Sequence, residues 1–139
     1  MRAYVIAAAL AATLILAAPA PAQEGACEAL AASLEEGCAP ASCTQPHPLM
    51  RNFTIEHRVT GEESGACAYA QTMPGNMTMQ CRFSAEGRAE LAAQLREAAQ
   101  SQSFSFSTRD PEAENYLTRE CEIRDQAGRV IPWGTSEAR

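Results

Sequence analysis

Six cysteines in a chain of 139 residues, at positions 27, 38, 43, 67, 81 and 121, constrain this protein more than any other feature. An even set in a small domain is normally consumed in disulfides once the chain reaches an oxidising compartment. The N-terminal segment predicts that it does. Met1 to Ala22 has a basic start at Arg2, an apolar run from Val5 to Ala18 and a small-residue exit at Ala20-Pro21-Ala22, the layout of a secretory signal peptide. The apolar run of about 14 residues falls short of the roughly 20 needed to cross a bilayer. No cysteine directly follows the small residues, which argues against lipid attachment. The expected organisation is a signal peptide over 1–22 and a single disulfide-stabilised domain over 23–139. That domain is expected to be periplasmic or secreted after cleavage near Ala22, without a stable membrane anchor.

Loss of Arg2 leaves ten arginines against 17 acidic residues, a net charge of −7. The arginines are scattered among glutamates, whereas a nucleic-acid binder needs clustered positive charge for phosphate contacts, so nucleic acid is excluded as a partner. Every basic residue is arginine and alanine is heavily used, a bias that suggests a GC-rich bacterial genome. A zinc site would need closely spaced CxxC or Cys/His pairs, and a thioredoxin-like role would need CxxC. Neither pattern occurs, and three structural disulfides are the expectation.

The mature segment from Gly25 to Glu36 is rich in Ala, Leu and Glu and is stopped by Gly37, which predicts a helix with Cys27, Leu30, Ala31, Leu34 and Cys38 on one face. Cys27 and Cys38 then lie about 16 Å apart along the axis and cannot pair with each other. Ala39 to Leu49, with three prolines, reads as an irregular loop. Alternation predicts strands over Asn52 to Thr60, Ala66 to Thr72 and Met77 to Phe83, with turns over Gly61 to Gly65 and Met73 to Asn76. Ser84 caps a second helix, Ala85 to Gln100. Ser101 to Asn115 reads as a loop or a short edge strand. Tyr116 to Arg124 and Arg129 to Trp133 complete the sheet as a final hairpin. The expected class is α+β: an antiparallel sheet of four to five strands with two helices on one face.

No GxSxG, HExxH, phosphate loop or dinucleotide fingerprint is present, and the only histidines are His47 and His57. His47, between Pro46 and Pro48, reads as a loop residue bonding to the backbone, and His57 as a core histidine satisfied by a hydrogen bond. The expectation is therefore no catalytic residue and no cofactor. One chemical alternative is a soft-metal site. Periplasmic Cu(I) prefers thioether and imidazole ligands, and His47, His57, Met77 and Met79 are the candidate set, with Met50 and Met73 nearby in sequence. Met77 and Met79 share a face with Cys81 and Phe83, however, and that spacing is what any half-buried strand requires. Asn52-Phe-Thr54 and Asn76-Met-Thr78 match the glycosylation triplet and are taken as unmodified in a bacterial host.

For the disulfides, a three-residue loop of Met73, Pro74 and Gly75 would set Cys67 opposite Cys81, whereas a type II turn centred on Pro74-Gly75 would stagger them. The first option gives the pairs Cys67–Cys81, Cys38–Cys43 and Cys27–Cys121.

The run Cys38-Ala-Pro-Ala-Ser-Cys43, His47-Pro48, Val59-Thr-Gly61, Gly65-Ala-Cys67-Ala-Tyr69, Met73-Pro74-Gly75 and Met79-Gln-Cys81, followed by an amphipathic helix, resembles a set of small, exported, uncharacterised bacterial proteins. It covers about half the mature chain, from Cys38 to Gln100, and implies a shared fold and no particular activity. The leading functional expectation is a non-catalytic binding or interaction protein, its surface in the Ala39 to Leu49 loop and adjoining turns, its partner unknown or another exported protein. The alternative is a periplasmic copper-binding protein.

Overall fold

A computed structural model describes residues 26–101 and 111–133. The expected signal segment, the stretch holding Phe104 and Phe106, and residues 134–139 lie outside them. The elements are α1 (Ala26–Glu36), β1 (Ala41–Pro46), β2 (Thr54–Glu63), β3 (Ala66–Met73), β4 (Met77–Phe83), α2 (Ala85–Ser101), α3 (Pro111–Glu120), β5 (Cys121–Arg124) and β6 (Val130–Ile131). The strands form one antiparallel sheet in sequence order, β1 to β6. The α+β class holds, with six strands instead of four to five and three helices among the described residues instead of two.

Each strand alternates between a buried inner face and an open outer one, as its period-two pattern dictates. Cys43, Ile55, His57, Val59, Cys67, Tyr69, Met79, Cys81, Phe83, Cys121 and Ile123 point inward. Leu30, Ala31 and Leu34 of α1 and Leu91, Ala92 and Leu95 of α2 are also buried, and the alanines let the two helices approach closely. Tyr116 of α3 joins this core, its ring 5.9 Å from Phe83 and its hydroxyl donating to Gln94 Oε1 at 3.0 Å.

Several local expectations change. Ala39 to Leu49 is not wholly irregular, because Ala41–Pro46 pairs with β2 and puts Cys43 inward opposite His57. Pro46 sits on an edge strand, where a missing N–H costs no ladder bond, and Pro40 lies just before it. The second strand runs past the expected turn to Glu63, with a bulge between Val59 and Gly61. Its hairpin closes on Ser64 and Gly65, both at positive φ, the geometry of a two-residue turn. Tyr116 to Glu120 is helical rather than extended, and only Cys121–Arg124 is strand. Pro111 opens α3, since proline suits the first helical position. The returning strand is Val130–Ile131, shorter than Arg129 to Trp133.

All six cysteines pair, but none of the three expected pairs forms. The bonds are Cys27–Cys43, Cys38–Cys67 and Cys81–Cys121. Cys67–Cys81 fails on register. Gly75 and Asn76 both take positive φ, so the loop is Pro74-Gly75-Asn76, Met73 pairs with Met77, and Cys81 faces Tyr69 while Cys67 faces Phe83. Cys38–Cys43 fails because extended β1 carries Cys43 away from the helix end. Cys27–Cys121 fails because β1 and β5 are four strand spacings apart, about 19 Å.

The actual pairs follow from local geometry. Gly37 and Cys38 end α1 at positive φ, the Cys38 N–H donates to Ser33 O at 2.8 Å in a six-residue helix closure, and the thiol is thereby aimed at β3. Cys81 and Cys121 are direct partners in the β4–β5 ladder. Non-reducing peptide mapping should recover these three links with no alkylatable thiol, and a peptide joining Cys67 to Cys81 would contradict the register.

The start of α2 is held by α3. Ser84 Oγ accepts from Gly87 N–H at 3.1 Å, while Glu120 accepts from Ser84 N–H at 2.9 Å and from its hydroxyl at 2.8 Å. A Cβ on Gly87 would collide with the Glu120 carboxylate and lie 2.9 Å from Phe83 Cδ1. Alanine is normally the better helix residue by about 0.5–1 kcal/mol, but overpacking costs about 1–3 kcal/mol. Gly87→Ala should therefore lower unfolding free energy by about 1–2 kcal/mol in denaturant melts, and the loss should shrink in a Glu120→Ala background.

Candidate functional site

Three regions carry enough unusual chemistry to compare: the turn between β1 and β2, a buried polar chain in the core, and the outer sheet face.

The turn is built around His47. Its N–H donates to Phe53 O at 2.9 Å, and Phe53 N–H donates to Met50 O at 3.0 Å. The imidazole Nδ1 accepts two backbone N–H groups, from Leu49 at 3.2 Å and Met50 at 3.1 Å, so this nitrogen carries no proton. The ring stands edge-on to Phe53, with centroids 5.8 Å apart. Pro48 fixes φ between these anchors. The result is an ordered apex in which four backbone N–H groups have internal partners and whose next side chains project outward: Leu49 is 88% exposed and Met50 44%.

The second region is inside. His57 has no solvent exposure. Its Nδ1 lies 2.6 Å from Tyr69 Oη, and the Tyr69 hydroxyl donates to Gln71 Oε1 at 2.9 Å. Because the tyrosine spends its only proton on Gln71, Nδ1 of His57 must be the donor to Tyr69 Oη, which fixes the neutral tautomer. Burial penalises the imidazolium and lowers the His57 pKa from 6.5 to about 4. Burial also raises the Tyr69 hydroxyl well above its usual range, aided by Tyr116. The His57 Nδ1, Tyr69 hydroxyl and Gln71 Oε1 thus form a continuous polar chain within the core.

The outer face has a low floor of Ala66, Ala68 and Ala70. Arg58, Arg82, Arg119 and Arg124 stand around it, and three of them pair with a carboxylate: Arg58 with Glu56 at 2.5 Å, Arg82 with Glu63 at 3.4 Å and Arg124 with Glu122 at 2.5 Å. Exposed pairs like these are worth about 0–1 kcal/mol.

The four residues considered for copper are placed apart. His47 is in the turn, its Nδ1 engaged with backbone. His57 is in the core, and Met77 and Met79 are buried on the inner face of β4 beside Cys81 and Phe83. His57 and Met79 share one cross-sheet row but flank Gln71, two strand spacings or about 10 Å apart. Met50 is on the exposed apex and Met73 is half-buried. Among the described residues, no group of three or more His, Cys, Asp or Glu side chains is arranged to hold a metal ion. Tyr69 and Gln71, the partners of His57, escape a sequence reading because an inward tyrosine and glutamine on alternate strand positions look like ordinary core and rim residues.

No protein-family profile, curated protein sequence or solved structure matches the chain.

The buried imidazole sets a pH dependence. Below pH 6.5 the unfolded chain takes up a proton at this position while the folded chain does not until about pH 4, so acid favours unfolding. Stability is fully present above pH 6.5 and should fall by about 3 kcal/mol on descending to pH 4 through this group alone. Urea melts of the wild type and His57→Gln across that window should diverge by about this amount. Parallel curves would show that His57 does not titrate as its burial requires.

Proposed function

We propose that the protein is a small exported, non-catalytic binding protein, periplasmic or secreted, whose contact surface is the β1–β2 turn. The observation that carries this reading is the double backbone clamp by His47 Nδ1, which holds Leu49 almost fully in solvent on a rigid apex. Exposing a leucine gains nothing for folding. Spending an ordered hydrogen-bonded turn to present it fits recognition, where preorganisation reduces the entropy lost on binding. Rigid scaffolds that carry their contacts on loops are a common arrangement, and here the disulfides supply the rigidity.

Export accords with three disulfides, which persist in oxidising compartments. No described helix is long and apolar enough to cross a membrane.

Site-specific photo-cross-linking in living bacterial cells tests the reading. A benzophenone side chain at position 49 should give a discrete adduct, with protein or lipid, that the same probe at exposed Ala93 of α2 does not. The adduct should weaken in a His47→Ala background, which releases the apex while leaving Leu49 in place. Equal labelling at both positions, or none at position 49, would overturn the proposal.

A further inference from the structure

We infer that the partner of the β1–β2 apex is an anionic lipid surface, into which Leu49 and Met50 dip reversibly while Arg51 stays at the headgroups. This inference rests on the binding role proposed above and names the partner class for the same surface.

Three observations favour a lipid surface over a protein pocket. The first is shape. The apex is a narrow convex tip, whereas a stable protein interface buries about 1,200–2,000 Å² in total and needs a broader face. Two adjacent apolar side chains on a tip suit a soft medium that closes around them, and four N–H groups of the backbone beneath are already hydrogen-bonded. His47 N–H, Leu49 N–H, Met50 N–H and Phe53 N–H all have internal partners, and Pro48 has no N–H to satisfy. Polar backbone groups left open would oppose entry into the apolar layer.

The second is charge placement. Between Glu36 and Glu56 there is no carboxylate, and the single charged residue is Arg51. The antiparallel order brings the Pro74-Gly75-Asn76 turn and the Asp125 to Gly128 turn to this same end of the sheet. Asp125 there is ion-paired with Arg129 at 2.6 Å, and Glu56 with Arg58 at 2.5 Å, which leaves Arg51 as the uncompensated charge of the three turns. Glu62 and Glu63 lie at the opposite end of ten-residue β2, about 30 Å away. That is several times the Debye length of about 8 Å at physiological ionic strength, so these two carboxylates are screened from the tip.

The third is the order of side chains. Pro48, Leu49, Met50 and Arg51 run from apolar to cationic, and a long arginine stem lets its head group remain in the interface while neighbouring side chains insert. Two apolar side chains and one cation give weak, reversible association, well below the strength of a lipid anchor or a spanning helix.

The test uses the chain starting at Gln23, which keeps all three disulfides, with sucrose-loaded vesicles of phosphatidylcholine or of equal parts phosphatidylcholine and phosphatidylglycerol. The protein should sediment with the mixed vesicles, less with the neutral ones, and less again in raised salt. Leu49→Ser should weaken association about tenfold, Arg51→Gln should abolish the preference for phosphatidylglycerol, and Ala93→Ser should change nothing. Absence of sedimentation with mixed vesicles, or equal sedimentation of Leu49→Ser, would overturn the inference. A protein adduct at position 49 without vesicle association would refute the lipid partner and leave the binding role standing. Loss of both signals would remove the role as well.

Discussion

The Cys38–Cys67 bond is the constraint on which the arrangement of this molecule depends. It fastens the C-terminal end of α1 to the centre of the sheet, and with Cys27–Cys43 it holds both ends of that short helix against β1 and β3. An eleven-residue helix has little stability of its own in water. Tied at both ends, it becomes a fixed lid over the inner face, and α2 has a surface to pack on. The third bond, Cys81–Cys121, does the same for the second half of the chain by locking four-residue β5 beside β4. Together the three links join both chain halves to the central strands, which a core of this modest size could not fix as firmly by packing alone.

The parts of this architecture that were legible in the sequence are those decided by local periodicity. Phe53 to Val59 and Met77 to Phe83 alternate cleanly, and the stripes of α1 and α2 return to one face at each turn. The cysteine pairing was not legible, because it depends on where distant strands lie and on loop register. One residue decided the β3–β4 hairpin: Asn76, which joins Gly75 at positive φ and moves the loop along by one position. That step keeps both cysteines on the inner face but sets Cys81 opposite Tyr69, and its other neighbour, Cys121, then becomes its partner. β1 was hidden by its prolines, which suppress the strand signal although an edge strand tolerates them. The segment from Tyr116 to Arg124 was hidden by a change of structure in its middle, where a helix passes directly into a strand at Glu120 and Cys121.

The candidate surface was half legible. Two prolines and a histidine marked the loop, and the reading of His47 as a residue that bonds to backbone agrees with its two accepted N–H groups. The exposure of Leu49 and Met50 was not legible, since leucine and methionine ordinarily signal burial. The same ambiguity runs the other way for His57. A residue type associated with metal ligation and proton transfer is used here to fill and orient the core, held in one tautomer by Tyr69 and Gln71.

The two borders of the sheet are unlike its interior. β1 is bracketed by Pro40 and Pro46, while β6 offers two paired residues before Pro132. Neither border presents the long, flat row of open N–H and C=O groups that templates the addition of a foreign strand. For a protein with a six-stranded antiparallel sheet, this matters most while it folds beside copies of itself. Among the described residues, fibril-like stacking has no long starting edge, and a sheet of six strands can remain finite.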